Sequence, residues 1–290
     1  VTGPNSGLGL RTAEVLAGKG AHVLLACRSA ERGRRALDRV LATGGKADLV
    51  PLDLADLASV RSAAALVRDR TGDALDLLVN NAGVMAVPLG RTADGFERQF
   101  GTNHLGHAAL TWLLMPALRG RPGARVVTVS SLAHQLGRID LADPNYRTRR
   151  YTSWGAYGQS KLANLLFARE LDRRLRAAGL DVTSVAAHPG YTATELSANM
   201  ARARKNPLLA LGAKISDLLA QPVAAGALPQ LYAATSPDVE PGGYYGPDGF
   251  RETRGHPAPA GSTAAARDEL AASRLWALTS ELTGVAPDPS

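Results

Sequence analysis

The chain of 290 residues predicts an α/β fold in which helices cover both faces of a doubly wound parallel sheet. Short apolar segments alternate with longer segments of helical periodicity along most of the chain. Most of the short segments are continuous in aliphatic residues, as expected for parallel strands that are buried on both faces. No linker or internal repeat divides the sequence, so we predict a single domain over residues 1–290.

The predicted strands and helices alternate as right-handed crossovers between parallel strands require. The strand candidates are residues 21–26, 48–52, 75–79, 125–129, 181–187 and 242–246. The helix candidates are residues 8–19, 30–42, 57–70, 95–118, 157–178, 223–235 and 263–283. Residues 195–222 are less regular and contain Pro207 and Pro222, so we interpret them as a segment that covers the substrate.

The strand that should lead into the first helix is almost absent. Only Val1 and Thr2 precede the first glycine. Such a strand is central in a doubly wound sheet, so its loss should leave unpaired main-chain groups and a void. We therefore expect the natural protein to have further residues before Val1, which the intact mass of natively expressed protein would test.

The composition argues against several classes of function. The formal charge of +7 comes mainly from arginine, since only five of the 33 basic residues are lysine. The arginines are scattered and aromatic residues make up 5% of the chain, which argues against nucleic-acid binding. The single cysteine, Cys27, allows no internal disulfide and predicts a cytoplasmic location. No histidine or lysine pairs with Cys27 in a motif, so we expect it to be a small buried residue that fills space rather than a nucleophile. The apolar runs are shorter than a bilayer requires, so no membrane span is expected.

A glycine-rich turn near the start predicts a phosphate site. Gly3, Gly7 and Gly9 lead into a helix whose free N–H groups and dipole favour an anion. A strand follows at the distance expected for a dinucleotide-binding Rossmann fold. Arg28 comes directly after that strand, where no carboxylate is present, so we predict that it binds the 2′-phosphate of NADP(H). The alternative is an ordinary surface arginine.

Tyr157 and Lys161 lie four residues apart in a predicted helix and therefore share one face. An ammonium beside a phenol favours the phenolate and brings the pKa of the tyrosine toward neutrality, which makes the pair suited to acid–base catalysis. The pattern alone is common, and the alternative is a packed tyrosine with a solvated lysine nearby.

Seven segments, in order along the chain, resemble the short-chain dehydrogenase/reductase family. They are Thr2-Gly3-x-x-x-Gly7-x-Gly9, Asp53-Leu54, Asn80-Asn81-Ala82-Gly83, Asn103, Ser131, Tyr157-x-x-x-Lys161 and Pro189-Gly190-x-x-x-Thr194. The resemblance covers nearly the whole chain. Other stretches, including His188-Pro189-Gly190, are similar to the retinol-dehydrogenase-like and protochlorophyllide-reductase-like branch.

The resemblance implies a catalytic set and a coenzyme site. The implied catalytic residues are Asn103, Ser131, Tyr157 and Lys161. The implied cofactor-binding residues are Gly3, Asn5, Ser6, Gly7, Leu8, Gly9, Arg28, Asp53, Leu54, Asn81, Ala82, Gly83, Tyr157, Lys161, Pro189, Gly190, Thr192 and Thr194.

In this family pattern Tyr157 is the general acid/base. Lys161 lowers the pKa of that tyrosine, and Ser131 donates a hydrogen bond to the substrate oxygen. Asn103 holds a water that links the lysine to solvent. Ser130 is the alternative to Ser131.

The implied activity is hydride transfer between NADP(H) and a lipophilic ketone, aldehyde or alcohol. NAD(H) is the alternative coenzyme, and no metal is expected. The alternative is a non-catalytic NADP(H)-binding regulator or scaffold on the same fold. Residues 141–153 form an insertion between Ser131 and Tyr157, which we interpret as a rim of the active site. Family members often associate through the helices predicted at residues 95–118 and 157–178, so a homodimer or homotetramer is expected.

Overall fold

The computed structural model describes residues 1–192 and 221–290 and confirms the α/β architecture. The strands are β1 (His22–Cys27), β2 (Lys46–Pro51), β3 (Leu77–Asn80), β4 (Ala124–Val129), β5 (Val182–Ala187), β6 (Tyr244–Pro247) and β7 (Pro257–Pro259). β1 and β2 form a parallel pair, and β3-β4-β5-β6-β7 form a second sheet. All pairs are parallel except β6–β7. Thr194 and residues 195–220 of the predicted substrate-covering segment lie outside the described residues.

The helices are α1 (Gly7–Gly18), α2 (Ala30–Leu41), α3 (Leu57–Thr71), α4 (Arg98–Phe100), α5 (Gly106–Arg119), α6 (Ser153–Ala177), α7 (Val223–Gly226), α8 (Leu228–Thr235) and α9 (Glu269–Thr283). A π-helical turn, Gly101–Leu105, joins α4 to α5. Short 3₁₀ helices cover Leu132–Leu136, Phe250–Glu252 and Ala264–Arg267.

Several predicted helix boundaries are wrong, and capping side chains explain where the helices begin. α4 begins after Glu97, whose carboxylate accepts from two N–H groups of the first turn. Thr152 caps α6, which begins at Ser153, four residues before the predicted start at Tyr157. Asp268 caps α9, so the stretch before it forms a separate 3₁₀ turn. The single helix predicted at residues 223–235 is two helices, the second with a proline in its first turn.

Thr2 joins the two sheets. It forms one parallel bridge to Ala26, and its N–H donates to the carbonyl of Val79 at 3.0 Å. The N–H of Ala26 in turn donates to the carbonyl of Val1 at 3.0 Å. Next to this junction a cavity of about 440 Å³ lies between β1 and β3, lined mainly by aliphatic side chains. The main-chain groups of Val1 and Thr2 beside this cavity are paired.

The C-terminal helix α9 packs on the outer side of α5 and α6. The ring of Trp276 stacks on Phe167 with centroids 5.4 Å apart and meets Trp112 edge-on at 4.9 Å. The guanidinium of Arg174 lies 4.9 Å above the same indole. α9 thus covers part of the helical face through which association was predicted.

Candidate active site

The glycine turn at the start of α1 is closely packed. Gly9 has no room for a side chain, because a Cβ there would overlap the side-chain amide of Asn81 and the carbonyl of Gly3. Ser6 precedes α1 in an extended conformation and its side chain makes no capping bond. The first N–H groups of α1 are therefore open to an anion, as the sequence predicts.

Twelve of the predicted coenzyme residues line one cavity of about 390 Å³, whereas Gly190 and Thr192 line neither this cavity nor the one described below. Its lining includes Gly3, Asn5, Ser6, Gly7, Leu8, Gly9, Arg28, Asp53, Leu54, Asn81, Ala82 and Gly83. It also includes residues that the sequence did not single out, namely Ala26, Ser29, Arg32, Leu52, Val84 and Thr102, and the predicted buried Cys27. The site residues from the first half of the chain thus meet at the carboxyl ends of the strands.

Two arginines lie at the far end of this cavity. Arg28 is two-thirds exposed, and its Nη1 lies 3.7 Å from Oδ2 of Asp53. Arg32, on the first turn of α2, lines the cavity beside it. Ser29 caps α2 by accepting a hydrogen bond from the N–H of Arg32 at 3.3 Å. Two cations and the positive end of a helix dipole therefore surround one location, which suits a doubly charged phosphate.

Cys27 is buried behind these arginines. Burial raises the pKa of its thiol, although the nearby charge of Arg32 lowers it in part. This environment agrees with the prediction that Cys27 fills space rather than acting as a nucleophile.

A second cavity of about 250 Å³ contains the predicted acid–base pair. Its lining is Leu8, Asn81, Gly83, Val84, Met85, Val129, Ser130, Tyr157, Lys161 and Pro189. Four of these residues, Leu8, Asn81, Gly83 and Val84, also line the coenzyme cavity. The two cavities therefore share a wall.

Tyr157 and Lys161 are both buried on α6, with 6% and 3% of their surfaces exposed. The ammonium of Lys161 donates to the carbonyl of Val129 at 3.0 Å and lies 5.8 Å from the centre of the Tyr157 ring. Trp154 packs edge-on against that ring at 5.9 Å. Lys161 is therefore not a solvated lysine, and its ammonium is held beside the ring of Tyr157.

Asn103 lies in the π-helical turn between α4 and α5, a feature that is frequent at functional sites. Its Oδ1 accepts from the N–H of Val84 at 2.8 Å, and its Nδ2 donates to the carbonyl of the same residue at 2.9 Å. Nδ2 also donates to Oγ of Ser160 at 2.9 Å. These bonds use both amide hydrogens, so the side chain of Asn103 could hold a water only through the remaining lone pair of Oδ1.

Gly83 leaves an open space between Asn103 and Lys161. A Cβ at this position would lie 3.3 Å from Oδ1 of Asn103 and 3.6 Å from Nζ of Lys161. Because Gly83 lines both cavities, any side chain there would fill the space that these two polar groups face.

The two serines after β4 have different contacts. Ser130 is buried and its Oγ donates to the main-chain carbonyl of Lys161 at 2.8 Å. Ser131 Oγ accepts from the N–H of Ala133 at 3.1 Å and caps the 3₁₀ helix. That bond leaves the O–H of Ser131 able to act as a donor, although Ser130, and not Ser131, lines the cavity of Tyr157 and Lys161.

A buried polar chain connects the glycine turn to Asn103, and the sequence did not reveal it. Oγ1 of Thr2 accepts from the N–H groups of Asn81 and Ala82 at 2.9 and 3.0 Å. It also lies 2.9 Å from Nε2 of His107, whose Nδ1 donates to the carbonyl of Asn103 at 2.9 Å. Nε2 must then accept from the Thr2 hydroxyl. Burial lowers the pKa of His107 to about 4, which keeps this arrangement neutral.

The loop after β5 brings Pro189 into the second cavity. Gly190 and Thr192 follow in the same loop, and Thr192 is buried and forms a parallel bridge to Gln221. The side chain of Gln221 donates to the carbonyl of Pro189 at 2.5 Å.

The insertion at residues 141–153 is an ordered structure. The carboxylate of Asp143 accepts from the N–H groups of Arg147, Thr148 and Arg149, which hold the pKa of Asp143 far below its usual range. The hydroxyl of Tyr151 donates to the carbonyl of Val87 at 2.8 Å. The bond from Tyr151 attaches the insertion to the loop after β3, two residues from Met85 of the second cavity.

Comparison with known proteins identifies the family. A family model described as short chain dehydrogenase matches residues 1–205. The chain belongs to the short-chain dehydrogenase family. It resembles human retinol dehydrogenase 13, with 40% identity over 98% of this chain and 84% of the relative. The predicted retinol-dehydrogenase-like branch is thereby confirmed, and the chain is an oxidoreductase acting on CH–OH or C=O groups.

Two solved structures are also similar to this chain. An uncharacterized protein from Mycobacterium paratuberculosis has 45% identity and a TM-score of 0.80, covering 98% of this chain and 92% of its own. A short chain dehydrogenase from Burkholderia cenocepacia was solved in complex with NADP; it has 29% identity and a TM-score of 0.52, covering 66% of this chain and 73% of its own.

Two features are absent from the described residues, 1–192 and 221–290. No helix there is both long and apolar enough to cross a membrane. No cluster of three or more histidine, cysteine or acidic side chains there has the arrangement of a metal site.

Proposed function

We propose that this protein is an NADP(H)-dependent oxidoreductase that interconverts a lipophilic aldehyde or ketone and its alcohol, with Tyr157 as the general acid/base. The shared wall of the two cavities carries the proposal. Gly83 and Val84 line both, so a coenzyme bound along the glycine turn would extend to the buried pair of Tyr157 and Lys161.

The residues present fit such a coenzyme from end to end. Gly9 lets the start of α1 pack closely against Gly3 and Asn81, which shapes the turn that would bind the pyrophosphate. Asp53 is available to the adenosine, Arg28 and Arg32 to the 2′-phosphate, and Lys161 to the nicotinamide ribose. When bound, NADP(H) supplies or accepts the hydride. The relative from Burkholderia cenocepacia that was solved with NADP supports this choice of coenzyme.

The acid–base work falls to three side chains. In reduction Tyr157 gives its phenolic proton to the substrate oxygen, and in oxidation its phenolate removes that proton. The buried ammonium of Lys161 favours the phenolate. Ser131 donates a hydrogen bond to the same oxygen while negative charge develops there.

The walls of the second cavity support a lipophilic substrate. Of its ten described lining residues, Lys161 alone is charged. Leu8, Val84, Met85, Val129 and Pro189 provide apolar surface. The similarity to a retinol dehydrogenase points to the same class, because retinol is an apolar alcohol.

NADPH oxidation by aldehydes and ketones of increasing chain length, retinal included, tests this function. We expect kcat/KM to rise with apolar chain length. A preference for short or charged carbonyls would contradict the substrate class. If NADPH binds but no carbonyl is reduced, the alternative of a non-catalytic regulator is favoured.

Two other features stay predictions. The cytoplasmic location rests on the single cysteine, Cys27. Homodimer or homotetramer formation through α5 and α6 would have to include α9, because Trp276 on that helix already packs against both.

A further inference from the structure

Two consecutive residues in the turn between β6 and β7 have a strained backbone. Arg251 and Glu252 have φ angles of 51° and 55°, in the left-handed region that residues other than glycine rarely adopt. Such strain persists only where the surroundings hold it, and it concentrates at functional sites. Here the turn is closed by a hydrogen bond from the N–H of Gly249 to the carbonyl of Arg254, at 2.9 Å.

The strained turn directs the carboxylate of Glu252 onto a buried histidine. Oε2 lies 3.0 Å from Nε2 of His188, a fully buried residue directly after β5. Oε1 accepts from the N–H of Gly261 at 2.7 Å. Both oxygens of the carboxylate are therefore engaged, and the orientation of Glu252 is fixed.

These partners assign the tautomer of His188. The N–H of Gly190 donates to Nδ1 at 3.2 Å, so Nδ1 carries no proton. Nε2 then carries the proton and donates it to Glu252. A carboxylate that accepts from one ring nitrogen fixes the tautomer and orientation of the ring, as it does for histidines that bind metals. Glu252 thereby keeps Nδ1 of His188 available for Gly190.

The loop that contains Gly190 rests directly on the strained turn. Gly190 has a φ of 65°, and a Cβ there would lie 2.5 Å from the carbonyl oxygen of Thr253. The N–H of Tyr191 donates to the same carbonyl at 2.7 Å. A shift of the turn would therefore move this loop, including Pro189 in the wall of the Tyr157 cavity.

We propose that His188 and Glu252 are positioning residues that place the Pro189–Gly190 main chain against the nicotinamide. The inference rests on the proposed function: the family resemblance assigns Pro189 and Gly190 to the coenzyme site, and Pro189 lines the cavity of Tyr157 and Lys161, where the nicotinamide end would lie. Neither side chain lines either site cavity; both act through the main chain of Gly190.

Comparing two ligands tests the proposal, because adenosine 2′,5′-bisphosphate has the adenosine end of NADPH but no nicotinamide. Glu252→Ala should weaken NADPH binding about tenfold, the usual effect of losing a hydrogen bond to a charged group, and leave bisphosphate binding unchanged. His188→Ala should do the same, and the double variant should be no weaker than the weaker single variant. Glu281→Ala, on the exposed side of α9, is the matched control and should bind both ligands normally.

His188→Asn adds a conservative rescue. Its side-chain oxygen is able to accept from the N–H of Gly190 without help from Glu252, so it should recover part of the NADPH affinity and kcat that His188→Ala loses. If His188→Ala does not fold, Glu252→Ala still tests the proposal. The side chain of Glu252 is 28% exposed, so we expect its removal to leave the protein folded.

Three results would overturn the proposal. They are equal weakening of both ligands in Glu252→Ala, unchanged binding of both, and additive effects in the double variant. If the unaltered protein binds neither NADPH nor the bisphosphate, the proposed function itself is wrong, and this inference falls with it.

Discussion

Asn103 pairs with both main-chain groups of a single residue, Val84. Its side-chain amide accepts from the N–H at 2.8 Å and donates to the C=O at 2.9 Å, as a neighbouring strand would. Val84 lies in the wall shared by the two cavities. The π-helical turn that presents Asn103 therefore holds the loop on which the proposed coenzyme site and the acid–base pair meet.

Asn103→Ala should destabilise the protein as well as inactivate it. It leaves the partly buried N–H and C=O of Val84 without their partner, at about 1–2 kcal/mol each, toward the lower end of the cost of an unsatisfied buried group. We expect the free energy of unfolding, measured with urea, to fall by about 2–4 kcal/mol. Ser160→Ala removes only the bond from Nδ2 of Asn103 to the serine hydroxyl, and should lower the free energy of unfolding by about 1 kcal/mol. Equal losses in the two variants would mean that the Val84 pairing contributes little.

Thr2→Val should weaken NADPH binding while keeping the shape of the side chain. The hydroxyl of Thr2 accepts from Asn81 and Ala82 and contacts His107, so its loss frees the glycine turn from the loop after β3. We expect a Kd at least about tenfold higher in a fluorescence titration, the effect of roughly one lost buried hydrogen bond. Thr2→Ser keeps the hydroxyl and should bind nearly normally; if it is as weak as Thr2→Val, the hydrogen bonds are not the cause.

Arg28→Ala should change the choice between NADPH and NADH. Removing a charge-assisted bond to the 2′-phosphate costs about 1.5–3 kcal/mol, and the exposure of Arg28 favours the lower end. NADH, which lacks that phosphate, should bind as before. Arg32→Ala should have a smaller effect in the same direction, whereas Arg35→Ala, an exposed arginine paired with Glu31, should have none. An unchanged NADPH preference in the double variant of Arg28 and Arg32 would move the phosphate contact elsewhere.

Acid should destabilise the fold through two buried histidines. Burial lowers the pKa of His104 to about 3 and that of His107 to about 4, below the ordinary value of 6.5. Between those values the unfolded chain binds more protons than the native protein, so the free energy of unfolding falls as pH falls from 6.5 toward 4. Each histidine contributes at most about 1.4 kcal/mol per pH unit.

Urea unfolding between pH 7 and pH 4 measures this effect. His104 packs between the rings of Phe100 and Phe167, at 5.2 and 5.9 Å, so His104→Phe keeps an aromatic ring there and should flatten the pH dependence. His22→Asn changes an exposed histidine and should leave it as it is. A pH dependence that His104→Phe does not alter would assign the acid sensitivity to other groups.

The sequence identified the main features of the fold because they depend on local patterns. Each of the first five predicted strands is an apolar run of a few neighbouring residues, so it can be recognised without knowledge of the rest of the chain. The predicted strands begin and end within two residues of the observed ones. β7 was missed because two of its three residues are proline, which is unusual in a strand except at an edge. The π-helical turn has no sequence signature and was predicted as ordinary helix.

The candidate site also contains some features that local patterns predict and others that they do not. Motifs with fixed spacing pointed to Tyr157 and Lys161, which the structure buries side by side. The contacts of Thr2 with His107, and of His188 with Glu252, span 105 and 64 residues and have no local pattern. Arg32 could have been found, since it lies one helical turn after the capping Ser29 and therefore faces the same cavity.

Tyr157→Phe tests the central claim most directly. The ring of Tyr157 is buried against Trp154 at 5.9 Å, so removing one oxygen leaves its packing in place. We predict that kcat for NADPH-dependent reduction of retinal falls by about 100-fold or more, because the proton donor is lost. The Kd for NADPH should stay within about twofold of its original value, a change of about 0.4 kcal/mol, because the ring keeps its packing. Turnover that survives this substitution would contradict the assignment of Tyr157 as the general acid/base.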